Sequence, residues 1–319
     1  MISGENKHFT LIRCEDAEGW LEQRTKGVGG SDVAAIMGLS PWRTPLQVWL
    51  EKTGRELPQD ISDKPYVAFG NIMEPVIGKW YAEQFPTFTV RRVNAICKSI
   101  SRPWAQASLD YEVYDGRRWG VLEIKTARTA QDWQEGVPAY YLTQVTHYLS
   151  VTGRAFAYVA VFFRDTCEFK AFYIERDEED IAAVDQAVDT FWHDYVEAGI
   201  MPQLTGTEGE MKSLTGWHGL SDGEVRFTLD PEANQAISDY QDAAAREKQA
   251  KADKTEAATK LAAQIGKGKG LETDVARVTW VRREVTKLDT KRLQAEHPEI
   301  WEQYAYRQVQ NGELRIKEL

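Results

Sequence analysis

The chain has 319 residues, with 39 Lys and Arg against 49 Asp and Glu and a formal net charge of -10. Taken whole, that balance counts against a protein built to neutralise nucleic-acid phosphates, while 42% hydrophobic and 11% aromatic residues exclude global disorder. No apolar run approaches the ~20 residues of a membrane span, no apolar leader follows the first residues, and three scattered cysteines (Cys14, Cys97, Cys167) supply neither a disulfide framework nor a Cys-x-x-Cys site, so a soluble cytoplasmic protein is expected.

The charge is unevenly spread. Residues 1–128 carry 17 basic and 16 acidic side chains, residues 129–200 carry 4 and 13, and residues 201–319 carry 18 and 20. The acidic middle stretch includes Glu175, Asp177, Glu178, Glu179 and Asp180 and reads as the start of an amphipathic helix. The five histidines show no i, i+4 pair and no His-Glu-x-x-His, so any bound metal must be held by carboxylates.

In chain order, residues 18–25 read as a helix, broken by Lys26-Gly27-Val28-Gly29-Gly30 before Ser31, the expected N-cap, opens a second helix through Met37. Residues 45–53 form a third, ended by Gly54. Over residues 66–84 the apolar positions Phe69, Ile72, Met73, Val76, Ile77, Trp80 and Tyr81 recur at three and four, with Pro75 marking a kink or a start. Three strands are predicted over 88–93, 104–114 and 118–126, the last two joined by the hairpin signal Asp115-Gly116. A helix over 138–151, strands over 155–163 and 168–175, and the acidic helix to Ala198 follow. This order predicts an α/β fold with a central mixed sheet flanked by helices.

Residues 199–219 are a boundary candidate, dividing a domain over 1–204 from an appendage over 205–319. The appendage reads as a strand over 224–229, a long Ala-rich helix over 231–265, a strand over 274–285, a helix capped by Asp289 and reaching Tyr304, and a short strand over 314–317.

The chemistry-bearing pattern lies in the predicted hairpin, where Asp110 sits on one strand and Glu123 and Lys125 sit two apart on the other. Residues two apart on a strand share a face, so three charged groups can converge at one sheet edge. Burying them among Val121, Leu122 and Ile124 is costly without a partner, and a divalent cation with hard oxygen ligands, Mg²⁺ or Mn²⁺, suits them. Asp110, Glu123 and the Ile124 carbonyl would then be ligands, with Lys125 beside the attacking water. By pattern alone, the same residues can be the polar side of an amphipathic strand. Preceding this pair is a helix bearing Glu74, and following it a helix bearing Gln144.

The segments RTKGVGGSDVAAIMGLSPW, FGNIMEP, ASLDYEV, GVLEIKT and YLTQVTHYLSVTG, in this order, resemble the YqaJ-type viral recombinase family, relatives of lambda exonuclease in the PD-(D/E)xK nuclease superfamily. The tail, LDTKRLQAEHPEIWEQY followed by LRIKEL, also resembles that of many phage proteins of this family. Leu109 stands where the motif's name has proline. The resemblance implies a restriction-endonuclease-like core and a Mg²⁺-dependent 5′ to 3′ exonuclease on double-stranded DNA that leaves 3′ overhangs for recombination through a two-metal mechanism. It further implies that Asp110 and Glu123 are metal ligands, Lys125 the catalytic lysine and Glu74 the helix acid that supports a second metal through water. Gln144 becomes the glutamine of the following helix, and Arg24 with Ser31 the pair that holds the 5′ phosphate. Ring-shaped homotrimers and a single-strand annealing partner of the RecT or Red-beta type are expected on the same ground.

The rival readings are an endonuclease of the same superfamily and a non-catalytic DNA-end-binding protein. His147 is read as structural. Trp42, Trp49 and Trp80 have faces suited to stacking on bases, but their helical spacing among apolar residues assigns them to the core. If DNA is the substrate, Arg24, Lys26, Arg43, Arg91 and Arg92 should line one concave surface, with the acids from Glu175 to Asp180 facing away.

Overall fold

The computed structural model describes residues 7–58, 61, 63–218, 227–281, 283–306 and 316. The chain divides into two compact units, Met1–Gly219 and Leu220–Leu319. In the first, β1 (Phe9–Ile12), α1 (Ala17–Thr25), α2 (Gly30–Ile36), α3 (Pro45–Lys52) and α4 (Pro65–Gln84) precede β2 (Thr89–Arg92), β3 (Ile96–Ser99), β4 (Gln106–Ser108), β5 (Tyr111–Tyr114) and β6 (Trp119–Ala127). Then come α5 (Ala139–Thr152), β7 (Phe156–Phe163), β8 (Glu168–Glu175), α6 (Glu178–Thr190) with a π-helical extension over Phe191–Glu197, and α7 (Glu208–His218).

The central sheet runs β2-β5-β6-β7-β8, with β6 and β7 parallel and the other neighbours antiparallel. The parallel pair requires a crossover, and α5 lies in that connection. Ile77 and Tyr81 of α4 pack with Tyr111, Leu122 and Ile124, whereas Val145 and Leu149 of α5 pack with Val121, Val159 and Phe163. The mixed sheet is thus covered by helices, as the element order predicts, and a third cluster joins Val33, Leu46, Leu50, Val188 and Phe191 of α2, α3 and the α6 segment.

Several boundaries differ from the sequence reading. The predicted strand over 104–114 is two strands in two sheets: β4 belongs to a three-stranded sheet, β1-β3-β4, and β5 to the central one. Leu109 and Asp110 lie at the handover. The sequence reading has neither β1 nor β3, which pair with each other, Phe9 opposite Ser99 and Ile12 opposite Ile96, across a long stretch of chain that local pattern does not span. Gly29, not Ser31, is the N-cap of α2, and its N–H is bonded by the Asp32 carboxylate at 3.0 Å. With the cap supplied by Asp32, the Ser31 hydroxyl is left for another partner. Pro75 neither starts nor ends α4; it is exposed, so water can satisfy the carbonyl it leaves unbonded.

α7 belongs with the first unit, beyond the compositional boundary at 204, because Gln47 Nε2 donates to Ser213 Oγ (3.2 Å) and Trp49 meets Trp217 edge-on at 5.8 Å. In the second unit, α8 (Pro231–Ile265) begins on the Asp230 cap, and β9 (Gly270–Glu272) pairs with β10 (Arg277–Thr279). The predicted strand over 274–285 is therefore reduced to β10. The last predicted helix is divided into α9 (Thr290–Glu296) and α10 (Pro298–Tyr304), since Pro298 has no N–H to continue the ladder. Residues 224–226 and, apart from Ile316, 314–317 lie outside the described residues, and 227–229 are not in a strand. Among the described residues no helix is long and apolar enough to cross a membrane.

His147 ties α5 to the rest of the first unit. Fully buried, its Nε2 lies 3.2 Å from the Val28 carbonyl oxygen and 3.0 Å from that of Gln106. Both partners only accept, so Nε2 carries the proton. Burial, with Arg102 nearby, pushes its pKa down to about 4. The unfolded chain takes up this proton near pH 6.5, so stability that is complete above that pH is lost as the pH falls towards 4. Urea unfolding of the wild type should weaken by about 3 kcal/mol more over that window than unfolding of His147→Gln; equal pH dependence of the two proteins would refute this.

Candidate active site

Strand β6 is paired with β7 from Val121 to Ala127, but its pairing with β5 ends at Leu122 opposite Tyr111. Beyond that point the Ile124 N–H donates to Asp110 Oδ2 at 2.7 Å. A strand residue presents its N–H and C=O on one edge, so the Ile124 carbonyl lies on the edge that Asp110 occupies. Glu123 is 3% exposed; its Oε1 accepts from Lys125 Nζ and from Gln144 Nε2, each at 2.7 Å, and Gln144 also donates to the Tyr148 hydroxyl at 2.9 Å. The other oxygen, Glu123 Oε2, is buried without a hydrogen-bond partner.

The electrostatics follow from that crowding. Burial and the neighbouring Glu123 charge hold the Asp110 carboxyl well above the usual range. Glu123 is raised too, by burial first, against the pull of Lys125. Burial alone would lower Lys125, but Glu123, Tyr141 and Asp110 together outweigh it and keep the ammonium charged, 4.7 Å above the Tyr141 ring. One lysine thus faces one buried carboxylate, Glu123, and one half-buried one, Asp110. The unpartnered Oε2, the like-charged pair and the Ile124 carbonyl form a hard-oxygen donor set that fits a divalent cation. Among the described residues no cluster of three or more Asp, Glu, His or Cys side chains forms a ready-made cation site. Glu74, on α4, is ion-paired with Arg92 at 2.8 Å and lines with Asp110 and Trp20 a cleft of about 350 Å³.

A second cluster of charge adjoins this one. Arg24 Nη2 donates to Ser31 Oγ at 3.0 Å and lies 3.8 Å from Asp32 Oδ1. Asp32 is fully buried and is also paired with Arg43 (2.7 Å) and Lys52 (2.8 Å). Burial would raise its pKa, but Lys52, Arg43 and Arg24 together hold it far below the usual carboxylate range. With Glu51 also on Arg43 and Lys52, three cations meet two carboxylates, leaving positive charge beside Ser31. The two clusters meet at Gly30: a Cβ there would lie 2.4 Å from the Tyr148 ring and 2.8 Å from Gln144 Cγ. Only glycine lets α2 approach α5 this closely.

The seven side chains singled out in the sequence (Arg24, Ser31, Glu74, Asp110, Glu123, Lys125 and Gln144) thus fall into two connected groups, with Glu74 held by Arg92. The single basic surface does not form as expected. Arg91 and Arg92 are adjacent on a strand and so point to opposite faces; Arg92 reaches Glu74, while Arg91 pairs with the buried Glu112 at 2.7 Å and covers Trp119. Lys26 is spent on Glu22 at the surface. Sequence reasoning missed Asp32, Lys52, Glu51 and Tyr148, whose burial no local pattern marks; the Asp following Gly-Ser at a helix start was the one available signal for Asp32.

The model of the YqaJ-like viral recombinase domain matches residues 19–155, which include all seven residues. The uncharacterized protein YqaJ of Bacillus subtilis (strain 168) is 33% identical over 226 residues, 69% of each chain. This chain belongs to the YqaJ-like viral recombinase family. Among solved structures, an alkaline exonuclease from Laribacter hongkongensis is similar with TM-score 0.49 and 23% identity, over 64% of this chain and 100% of that one. A phage-related exonuclease from Haemophilus somnus 129PT is similar with TM-score 0.40 and 13% identity, over 54% and 94%.

In this YqaJ-like chain the Asp32 cluster is a stability element as well as a candidate anion site. Asp32→Ala would leave Lys52, whose side chain is fully buried, with one carboxylate fewer. It should cost about 3–5 kcal/mol, the effect of breaking a buried ion pair from one side. A urea midpoint equal to that of the wild type would contradict this.

Proposed function

We propose that the chain is a divalent-metal-dependent exonuclease that degrades the 5′-ended strand of duplex DNA from its ends and leaves 3′ overhangs for recombination. The observation that carries this reading is the convergence of Asp110, Glu123 and Lys125 at one end of β6, joined through Gln144 and Gly30 to the cationic pocket of Arg24 and Ser31. Membership of a viral recombinase family supports it.

Asp110, Glu123 and the Ile124 carbonyl would hold Mg²⁺ or Mn²⁺, and Glu74 would support a second ion through water. Bound there, such ions polarise the phosphate and acidify water at neutral pH. Lys125, kept charged by Glu123 and its other neighbours Tyr141 and Asp110, would donate to the attacking water and to the developing negative charge on phosphorus-bound oxygen. Gln144 fixes Glu123 Oε1, which leaves Oε2 directed to the ligand role. Arg24 presents a fork to the 5′ phosphate with Ser31 beside it. Anchoring the end in this way sets strand polarity, because the scissile bond then lies a fixed distance from the terminus. Family membership is also the ground for proposing a homotrimer that works in the cytoplasm with a RecT or Red-beta type annealing protein.

The deciding experiment incubates 5′-phosphorylated linear duplex and covalently closed circular duplex with Mg²⁺ or EDTA and reads products by strand. Nucleotides released from the 5′-ended strand of linear DNA in Mg²⁺ alone are expected; cleavage of the circle would overturn the requirement for an end. Lys125→Ala should lower turnover at least ~100-fold while DNA binding persists, and unchanged turnover would sink the assignment. For Arg24→Ala, the ratio of rates on 5′-phosphate and 5′-hydroxyl ends should fall towards one; a preference equal to that of the wild type would remove the phosphate pocket from the mechanism.

A further inference from the structure

Spacing alone assigns Trp42, Trp49 and Trp80 to the core, and the structure separates them. Trp49 is 2% exposed and Trp80 stacks on Phe169 at 5.0 Å, but Trp42 is 64% exposed. It lies in the loop between α2 and α3, which Ser40 fixes by accepting from the N–H groups of Trp42 (3.2 Å) and Arg43 (3.1 Å). The Trp42 ring meets Tyr140 edge-on at 4.8 Å and Tyr141 at 6.3 Å, and the Tyr141 ring carries the Lys125 ammonium. On its other side Trp42 is followed by Arg43, which binds the same Asp32 that Arg24 approaches. Trp42 is therefore one ring away from the proposed catalytic lysine and one residue away from the cationic pocket.

That position has a chemical meaning if the exonuclease reading holds, on which this inference rests. A terminal nucleotide with its 5′ phosphate at Arg24 and Ser31 and its 3′ phosphodiester at Lys125 has its two charged ends matched. Its base still needs a flat apolar surface, and a large exposed aromatic ring beside both ends supplies one. We propose that Trp42, backed by Tyr140, stacks on the base of the 5′-terminal nucleotide and holds it while the following phosphodiester is cut. Stacking accepts any base, since every base has a π-face, so this contact positions the substrate without reading its sequence.

The test uses the full chain and a 5′-phosphorylated duplex ending in one unpaired 2-aminopurine nucleotide, mixed in EDTA so that stacking is read apart from hydrolysis. Binding to the wild type should quench the probe. Trp42→Ala should abolish the quench and Trp42→Phe should keep most of it. In Mg²⁺, Trp42→Ala should raise KM roughly ten-fold or more. Replacing the terminal base by an abasic tetrahydrofuran should raise the wild-type KM to the same level and leave that of Trp42→Ala unchanged. Absence of quenching in the wild type, an undiminished quench in Trp42→Ala, or an equal abasic penalty in both proteins would overturn the proposal. So would a change of native mass in Trp42→Ala with the quench intact, which would make Trp42 a contact between copies. A wild-type quench without any DNA cleavage would instead retain the stacking role and refute the exonuclease reading.

Discussion

The Ile124 N–H donates to a carboxylate oxygen of Asp110, where continued pairing with β5 would have given it a backbone carbonyl. A buried N–H must find an acceptor, and this substitution lets β5 stop at Tyr111 without leaving an orphan. It also lets the chain pass from the central sheet to β4 of the second sheet, since the Asp110 carbonyl is taken by Val93 N–H at 3.0 Å. The same bond fixes the Asp110 side chain beside Glu123. Fold and site thus share one constraint: the sheet can end there only if an acceptor-bearing side chain stands at position 110, and that side chain is then held at the sheet end.

Buried charge has to be matched, and the two clusters meet this requirement with opposite imbalance. Around Asp32 and Glu51 the cations Arg24, Arg43 and Lys52 are in excess; around Glu74, Asp110 and Glu123 only Arg92 and Lys125 answer three acids. One pocket is suited to an anion and the other to a cation. They adjoin because Gly30 brings α2 against Gln144 and Tyr148 of α5. A phosphate-bearing substrate and a divalent ion would each relieve one imbalance, which is the electrostatic basis of the proposed nuclease.

The net charge of -10 therefore says little about this region. Its cations are mostly spoken for: Arg91 by Glu112, Arg92 by Glu74, Lys26 by Glu22. The acidic stretch is occupied in local roles, with Asp177 capping α6 and Glu175 paired with Arg118. Among the described residues, the excess of cations lies in the cluster of Arg24, Arg43 and Lys52 around Asp32.

Much was legible in the sequence because it depends on local periodicity. Period-two spacing puts Glu123 and Lys125 on one face, the Asp115-Gly116 turn sets the β5–β6 hairpin, and apolar positions at three and four mark α4. These patterns, with five motifs in order, were enough to identify the YqaJ-like family and the mixed sheet. What they could not carry was anything set by contacts distant in sequence. The division of one predicted strand between two sheets, the burial of Asp32 against Lys52 twenty residues on, and the close approach of α2 to α5 all depend on which surfaces meet. Trp42 illustrates the difference. Its spacing matches that of the core tryptophans, and only the packing of the α2–α3 loop against Tyr140 decides that its face is left open to solvent.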